Sequence, residues 1–184
     1  MTRFRRFRLK RDQRGYTLVE MLMVMVILGI VMNGVTVLFI SATRAEVDMN
    51  SRFQAQQAAR VALDKVRREV HCADAATPAG ASSSVTLTLP SYCKTYSGSA
   101  SVTWCTRIVS TGRYGLYRVN GATCVGGVKW ADYLTLSSTF NFTAQTTTSL
   151  AKLHVDFPVN VTPNRSTNAY ELVDDIVLRN TKRS

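Results

Sequence analysis

Between Met21 and Ile40 the chain runs for 20 residues without a formal charge. As a helix rising about 1.5 Å per residue, that run is roughly 30 Å long, about the thickness of a bilayer's hydrocarbon core. It restricts the chain to folds in which one helix lies in lipid or among helices of the same kind. One acid, Glu20, stands at its edge. An ionisable group within a membrane span costs about 2–3 kcal/mol near the centre and less toward the ends. Glu20 therefore still requires a partner.

Seven basic residues precede the run (Arg3, Arg5, Arg6, Arg8, Lys10, Arg11 and Arg14) against one acid, Asp12. They supply six of the eleven net positive charges of the 184-residue chain. The basic balance is thus first of all a tag beside a membrane helix. Lys and Arg flanking a first span stay in the cytoplasm, so everything after Ile40 is expected to be exported. The four cysteines, Cys72, Cys93, Cys105 and Cys124, all fall in that part and include no CxxC pair. Two disulfides in an oxidising compartment fit them better than a zinc site. Four cysteines allow three pairings, and sequence neighbours suggest Cys72 with Cys93 and Cys105 with Cys124. The competing reading of the N-terminus is a cleavable secretory signal cut near Ile40-Ser41-Ala42. Against it, the uncharged run exceeds the usual apolar region of about 7–15 residues.

The order of basic leader, Gly15-Tyr16-Thr17-Leu18-Val19-Glu20-Met21-Leu22 and long apolar helix resembles the N-terminus of type IV prepilins and type II secretion pseudopilins. The resemblance is tight over some thirty residues and architectural beyond them. It implies that a membrane-embedded prepilin peptidase cuts between Gly15 and Tyr16 and methylates the new amine. Glu20 is then the fifth mature residue, and it receives the amine of a neighbouring subunit during assembly. The alternative for Glu20 is an uncut signal anchor, with its carboxylate snorkelling to the headgroups beside Arg14. Two departures stand out. Tyr16 replaces the commoner phenylalanine, and Val37 stands where many major subunits carry proline. Asn33-Gly34 is the nearby weak point, glycine costing about 1 kcal/mol against alanine. A minor subunit is the better fit.

From Ser41 to Cys72 there is no Gly or Pro. Ala55, Ala59, Ala62, Leu63, Val66 and Val70 recur at three- and four-residue steps, the spacing of one helix face. The expectation is one helix from Tyr16 to Cys72, lipid- or filament-facing first and domain-facing after. Thr77-Pro78-Ala79-Gly80-Ala81-Ser82-Ser83-Ser84 reads as breaker and linker. Period two then takes over. Strands are expected around Val85–Leu89, over Ser101–Ser110 and Gly115–Asn120, at Phe140 and Phe142, along Leu153–Val161 and over Leu172–Leu178. The expected fold class is α+β and pilin-like: a long N-terminal α-helix packed on an antiparallel β-sheet domain. Its segments are a cleaved leader (1–15), a membrane or filament-core helix (16–40), an amphipathic continuation (41–72) and an exported disulfide-bearing domain (73–184). The Leu178-Arg179-Asn180 finish resembles minor subunits of the W or J type.

Catalytic patterns such as HExxH, GxSxG or a Walker loop do not occur in the sequence. His71 belongs to the last helical turn, where a cation is favoured, and His154 is a strand-face residue. Asp174-Asp175 would point to opposite faces of a strand and so cannot converge on one substrate. Asn141-Phe142-Thr143, Asn160-Val161-Thr162 and Asn164-Arg165-Ser166 match the glycosylation pattern, which is common in Thr- and Ser-rich strands. The serious second idea is nucleic acid. Arg107, Arg113, Arg118 and Lys129 alternate with Trp104, Tyr114, Tyr117 and Trp130, as in single-strand binders. The expectation is therefore a minor pilin or pseudopilin, not an enzyme, with no cofactor and no metal. Its partners are the prepilin peptidase, other pilin subunits, an inner-membrane assembly platform and the membrane, with DNA as the possible addition. It would cross the cytoplasmic membrane once, with its C-terminal domain outside, before entering a filament. A DNA-binding minor pilin and a signal-anchored extracytoplasmic enzyme are the alternatives.

Overall fold

The computed structural model describes residues 15–93, 98–137, 139–162 and 169–180. The basic leader before Gly15 and the Asn164-Arg165-Ser166 triplet lie outside them. One helix, α1 (Leu18–Cys72), spans 55 residues, and Asn33-Gly34 does not interrupt it. The chain divides into two compact units, one up to Val47 and one from Asp48. Every described side chain of the first unit is exposed. Met21, Ile27, Leu38 and Phe39 each show more than half of their surface. An uninterrupted apolar surface of this size requires lipid or apolar neighbours.

The second unit builds the core. From Asp48 onward, α1 buries one stripe, Ala55, Ala59, Ala62, Leu63, Val66 and Val70, at the helical spacing expected. Three of these are alanines, which let the helix backbone come close to the sheet. The sheet strands are β1 (Ala75–Thr77), β2 (Gly80–Ser82), β3 (Ser84–Thr88), β4 (Ser101–Ser110), β5 (Arg113–Asn120), β6 (Val128–Leu134), β7 (Phe140–Thr143), β8 (Lys152–Val159) and β9 (Tyr170–Val177). Their order is β1-β3-β4-β5-β6-β8-β7-β2, with β9 on the other side of β8. All pairings are antiparallel.

Alternation places Val85 and Leu87, Val102 and Trp104, and Leu153, Val155 and Phe157 in the core. Phe140 meets Phe157 edge to face at 6.0 Å, and Trp104 lies 5.9 Å from Trp130. Disulfides join Cys72 to Cys93 and Cys105 to Cys124, with Cα–Cα distances of 6.0 and 6.1 Å. The first fixes the end of α1 to the chain beyond β3; the second ties β4 to the loop that enters β6.

Three strands differ from the sequence expectation. The supposed linker contributes to β1 and β2, which pair with β3 and β7. Their small residues carry no apolar alternation, so backbone pairing alone makes them strands. β6 was hidden for another reason. The β5–β6 ladder slips register twice, and Tyr133 sits at φ 63°. The inward residues Ala131 and Leu134 are consequently three apart, which erases the period of two.

Candidate processing and assembly site

Helix α1 begins with a cap written in four residues. Thr17 precedes the first helical residue, and the Glu20 N–H donates to Thr17 Oγ1 at 3.3 Å. The Met21 N–H donates to the Thr17 carbonyl at 3.2 Å. Thr17-Leu18-Val19-Glu20 is the Ser/Thr-x-x-Glu pattern that starts helices, with the acid at the third helical position. Glu20 also sits where the helix dipole favours a negative charge. Sequence reasoning centred on Glu20 passed over Thr17, although the four-residue signature was there to read.

Gly15 lies just outside the cap and is exposed. A Cβ added there would meet nothing within 4 Å. Tyr16, next to it, is 73% exposed. Space within the fold does not demand glycine at position 15. Glu20 is exposed, and among the described residues no cation pairs with it. An accessible glycine, an exposed aromatic, a capped start and an acid without an ion pair among the described residues thus stand within the six residues from Gly15 to Glu20. Directly behind them, α1 is long and apolar enough to cross a membrane.

Residues 10–35 match the family described as the prokaryotic N-terminal methylation motif. The chain carries a prokaryotic N-terminal methylation motif. No curated protein and no solved structure matched it. The matched segment covers the Gly15–Tyr16 bond, the cap and most of the apolar run. The motif supports pilin-like processing and assembly, and a structural subunit rather than an enzyme. Behind it the chain has the pilin-like α+β layout, a long apolar N-terminal helix with an antiparallel sheet domain.

The methylation motif's glutamate has a counterpart near the other end of α1 that the sequence reading missed. Glu69 is fully buried. Its Oε2 accepts from Trp104 Nε1 at 2.7 Å, and its Oε1 accepts from Arg118 Nε at 2.8 Å. Lys65 Nζ stands 3.6 Å from the same Oε1. Arg118 continues to Asn120 Oδ1 at 2.8 Å. One carboxylate thereby links the helix to β4 and β5. The available signal was phase: Glu69 falls beside Val66 and Val70 on the buried stripe.

The four cations singled out for nucleic acid all have partners in their own chain. Arg118 is held by Glu69. Arg113 grips Asp132 with two hydrogen bonds of 2.9 and 2.7 Å and lies 3.8 Å over the Tyr133 ring. Lys129 donates to Asp132 Oδ2 at 2.7 Å. Arg107 covers the Tyr117 ring at 3.6 Å and donates to the Gly126 carbonyl at 2.8 Å. Trp104 is fully buried. The four cations are thus engaged within their own chain, and Trp104 is sealed away from any outside stacking partner. Burial would raise the Asp132 carboxyl, but hydrogen bonds from Arg113, Lys129 and the Tyr133 N–H outweigh it and bring it to about 2.

The remaining polar candidates also find partners within the second unit. Asp174 binds Arg67 at 2.9 and 2.8 Å, whereas Asp175 binds Lys152 and His154. The two acids point to opposite faces, as adjacent strand residues must. The His71 ring donates from Nδ1 to the Val177 carbonyl at 2.9 Å.

Proposed function

We propose that this chain is a minor pilin or pseudopilin, cut between Gly15 and Tyr16 by a prepilin peptidase, methylated on Tyr16 and assembled into a type IV pilus or related secretion or competence filament. The observation that carries this reading is the match of residues 10–35 to the methylation motif, directly ahead of an exposed apolar helix. Cleavage creates an ammonium one helical turn from Glu20. In a bundle of such helices, the Tyr16 amine of one subunit supplies the charge that Glu20 of the next requires. Within lipid, close packing and polar pairing hold helices together, because the lipid tails are as apolar as the helices. The charge pair then sets axial register. The basic leader is expected to remain cytoplasmic and the sheet domain to lie outside.

The accessible, sterically unconstrained Gly15 fits a requirement set by a peptidase rather than by the fold. Gly15→Val is expected to leave residues 1–15 attached, as read by the intact mass of membrane-extracted protein, while the sheet domain melts at its ordinary temperature. A Gly15→Val chain shortened to Tyr16 at the wild-type rate would contradict the proposal.

A further inference from the structure

Strand β9 has one strand neighbour, β8, among the described residues. Just beyond it, the Leu178 N–H donates to the Ala151 carbonyl at 3.0 Å. Backbone direction alternates along an antiparallel strand, so the even-numbered residues of β9 turn their backbone groups toward β8. The odd-numbered residues Glu171, Val173, Asp175 and Val177 turn theirs away. The His71 ring on the Val177 carbonyl gives the same phase independently. It also closes that end of the edge. The backbone groups of Glu171, Val173 and Asp175 are left facing outward, with no backbone partner among the described residues.

The side chains of these three residues are exposed, and their charges are unevenly met. Asp175 is held by Lys152 at 3.1 Å and by His154 at 2.7 Å. Glu171 has no ion pair among the described residues, nor has Asp156 on β8. Asp156 Oδ1 is buried without a hydrogen-bond partner. Burial and the nearby Glu171 charge both push the Asp156 carboxyl upward. This end of the edge combines open backbone groups, two acids without an ion pair among the described residues and one apolar side chain, Val173, which is 52% exposed.

We propose that the outer edge of β9 accepts an extended segment of another protein chain as an added strand, one carrying lysine or arginine beside Glu171 and an apolar residue beside Val173. Strand addition supplies the missing backbone hydrogen bonds, and alternate side chains supply selectivity. The proposal rests on β8 and β9 alone and is independent of the processing of the N-terminus. The competing role for charges on an edge is to keep it unpaired, and the test separates the two.

Full-length protein in a neutral detergent is mixed with a blocked peptide in which lysine and valine take turns at every second position with threonine between them, so that both lie on one face of an added strand, or with a control carrying glutamate for each lysine. Amide hydrogen exchange is followed at Glu171, Val173 and Asp175, with Leu172 and Asp174 as internal references. The lysine peptide is expected to slow the three outward amides about tenfold or more at saturation, while the glutamate peptide leaves them unchanged. Val173→Pro deletes the central outward N–H without touching the bonds to β8, and proline is tolerated on an edge. It should weaken the lysine peptide by about tenfold. Glu171→Lys should transfer the preference to the glutamate peptide. If Val173→Pro also exposes Leu172 and Asp174, Glu171→Lys alone decides. Unchanged exchange under saturating lysine peptide, or equal protection by both peptides, would overturn the proposal. So would protection that rises with protein concentration alone, since the occupant would then be a second copy.

Discussion

Glu20 and Glu69 stand near opposite ends of the same helix, in surroundings that could hardly differ more. Glu69 is sealed from solvent and accepts hydrogen bonds from Trp104 and Arg118. Glu20 is exposed, with no cation against it among the described residues. The stretches around them differ in the same way. Around Glu69 the apolar stripe is met by the chain's own sheet; around Glu20 every apolar side chain is bare. A helix that must assemble with others cannot satisfy its first half internally, or nothing would remain to recruit a neighbour. Its second half must be satisfied internally, because it holds the domain together. On the proposed function, assembly chemistry belongs to one end of α1, while folding chemistry stands at the other.

Substitutions at the two glutamates should therefore have opposite effects. Glu20→Ala is expected to abolish incorporation into filaments in a pull-down of assembled subunits, yet leave the melting temperature of the sheet domain unchanged. A domain destabilised by Glu20→Ala would break the division. Glu69→Ala strands the Arg118 guanidinium in the interior. Removing one member of a buried pair costs about 3–5 kcal/mol, measurable by denaturant unfolding. Replacing both, as Glu69→Met with Arg118→Leu, should recover much of that loss, because apolar residues of similar size often substitute for a buried ion pair.

Smaller effects sharpen the same comparison. Replacing Cys72 and Cys93 together by serine opens a loop with a sequence separation of 21 and should cost about 3 kcal/mol in domain stability. Smaller still is the Asp132 pair. Its carboxyl sits at about 2 in the folded chain, below its ordinary 3.8. A depressed folded value means that the stabilisation is fully present above the ordinary value and is lost as pH falls toward 2. Asp132→Asn should cost about 1 kcal/mol at neutral pH, and the difference from wild type should vanish at the acid end of that window. Denaturation curves across pH check this, and a difference independent of pH would contradict it.

The legible parts of this chain are those in which a local rule and the global fold agree. The buried stripe of α1 followed from spacing because helix periodicity and packing against the sheet select the same residues. Ser101–Ser110 was readable because alternation survives where it pairs on both sides, Ser101–Cys105 with β3 and Val102 onward with β5. β1 and β2 were not, since Ala, Gly, Ser and Thr become strands there by pairing with distant partners. β6 escaped because its irregular ladder and the left-handed Tyr133 shift the inward residues out of alternation. At the candidate processing site, Gly15, Tyr16 and Glu20 were visible as a linear motif, since the recognition they invite is itself linear. Glu69 was not singled out, because a charged residue in an amphipathic helix is ordinarily assigned to the solvent face. Arg118 reads in the sequence as a nucleic-acid contact because no sequence signal announces a partner 49 residues away.

The central claim is that the chain is cut after Gly15 and that the amine so produced is what Glu20 serves. The most direct measurement is the intact mass and N-terminal peptide of the protein made with and without a prepilin peptidase. The account predicts a peptidase-dependent N-terminus at Tyr16 bearing one added methyl group, and the uncut chain when the peptidase is absent. An N-terminus at Met1 under both conditions, or one beyond Ile40, would contradict it.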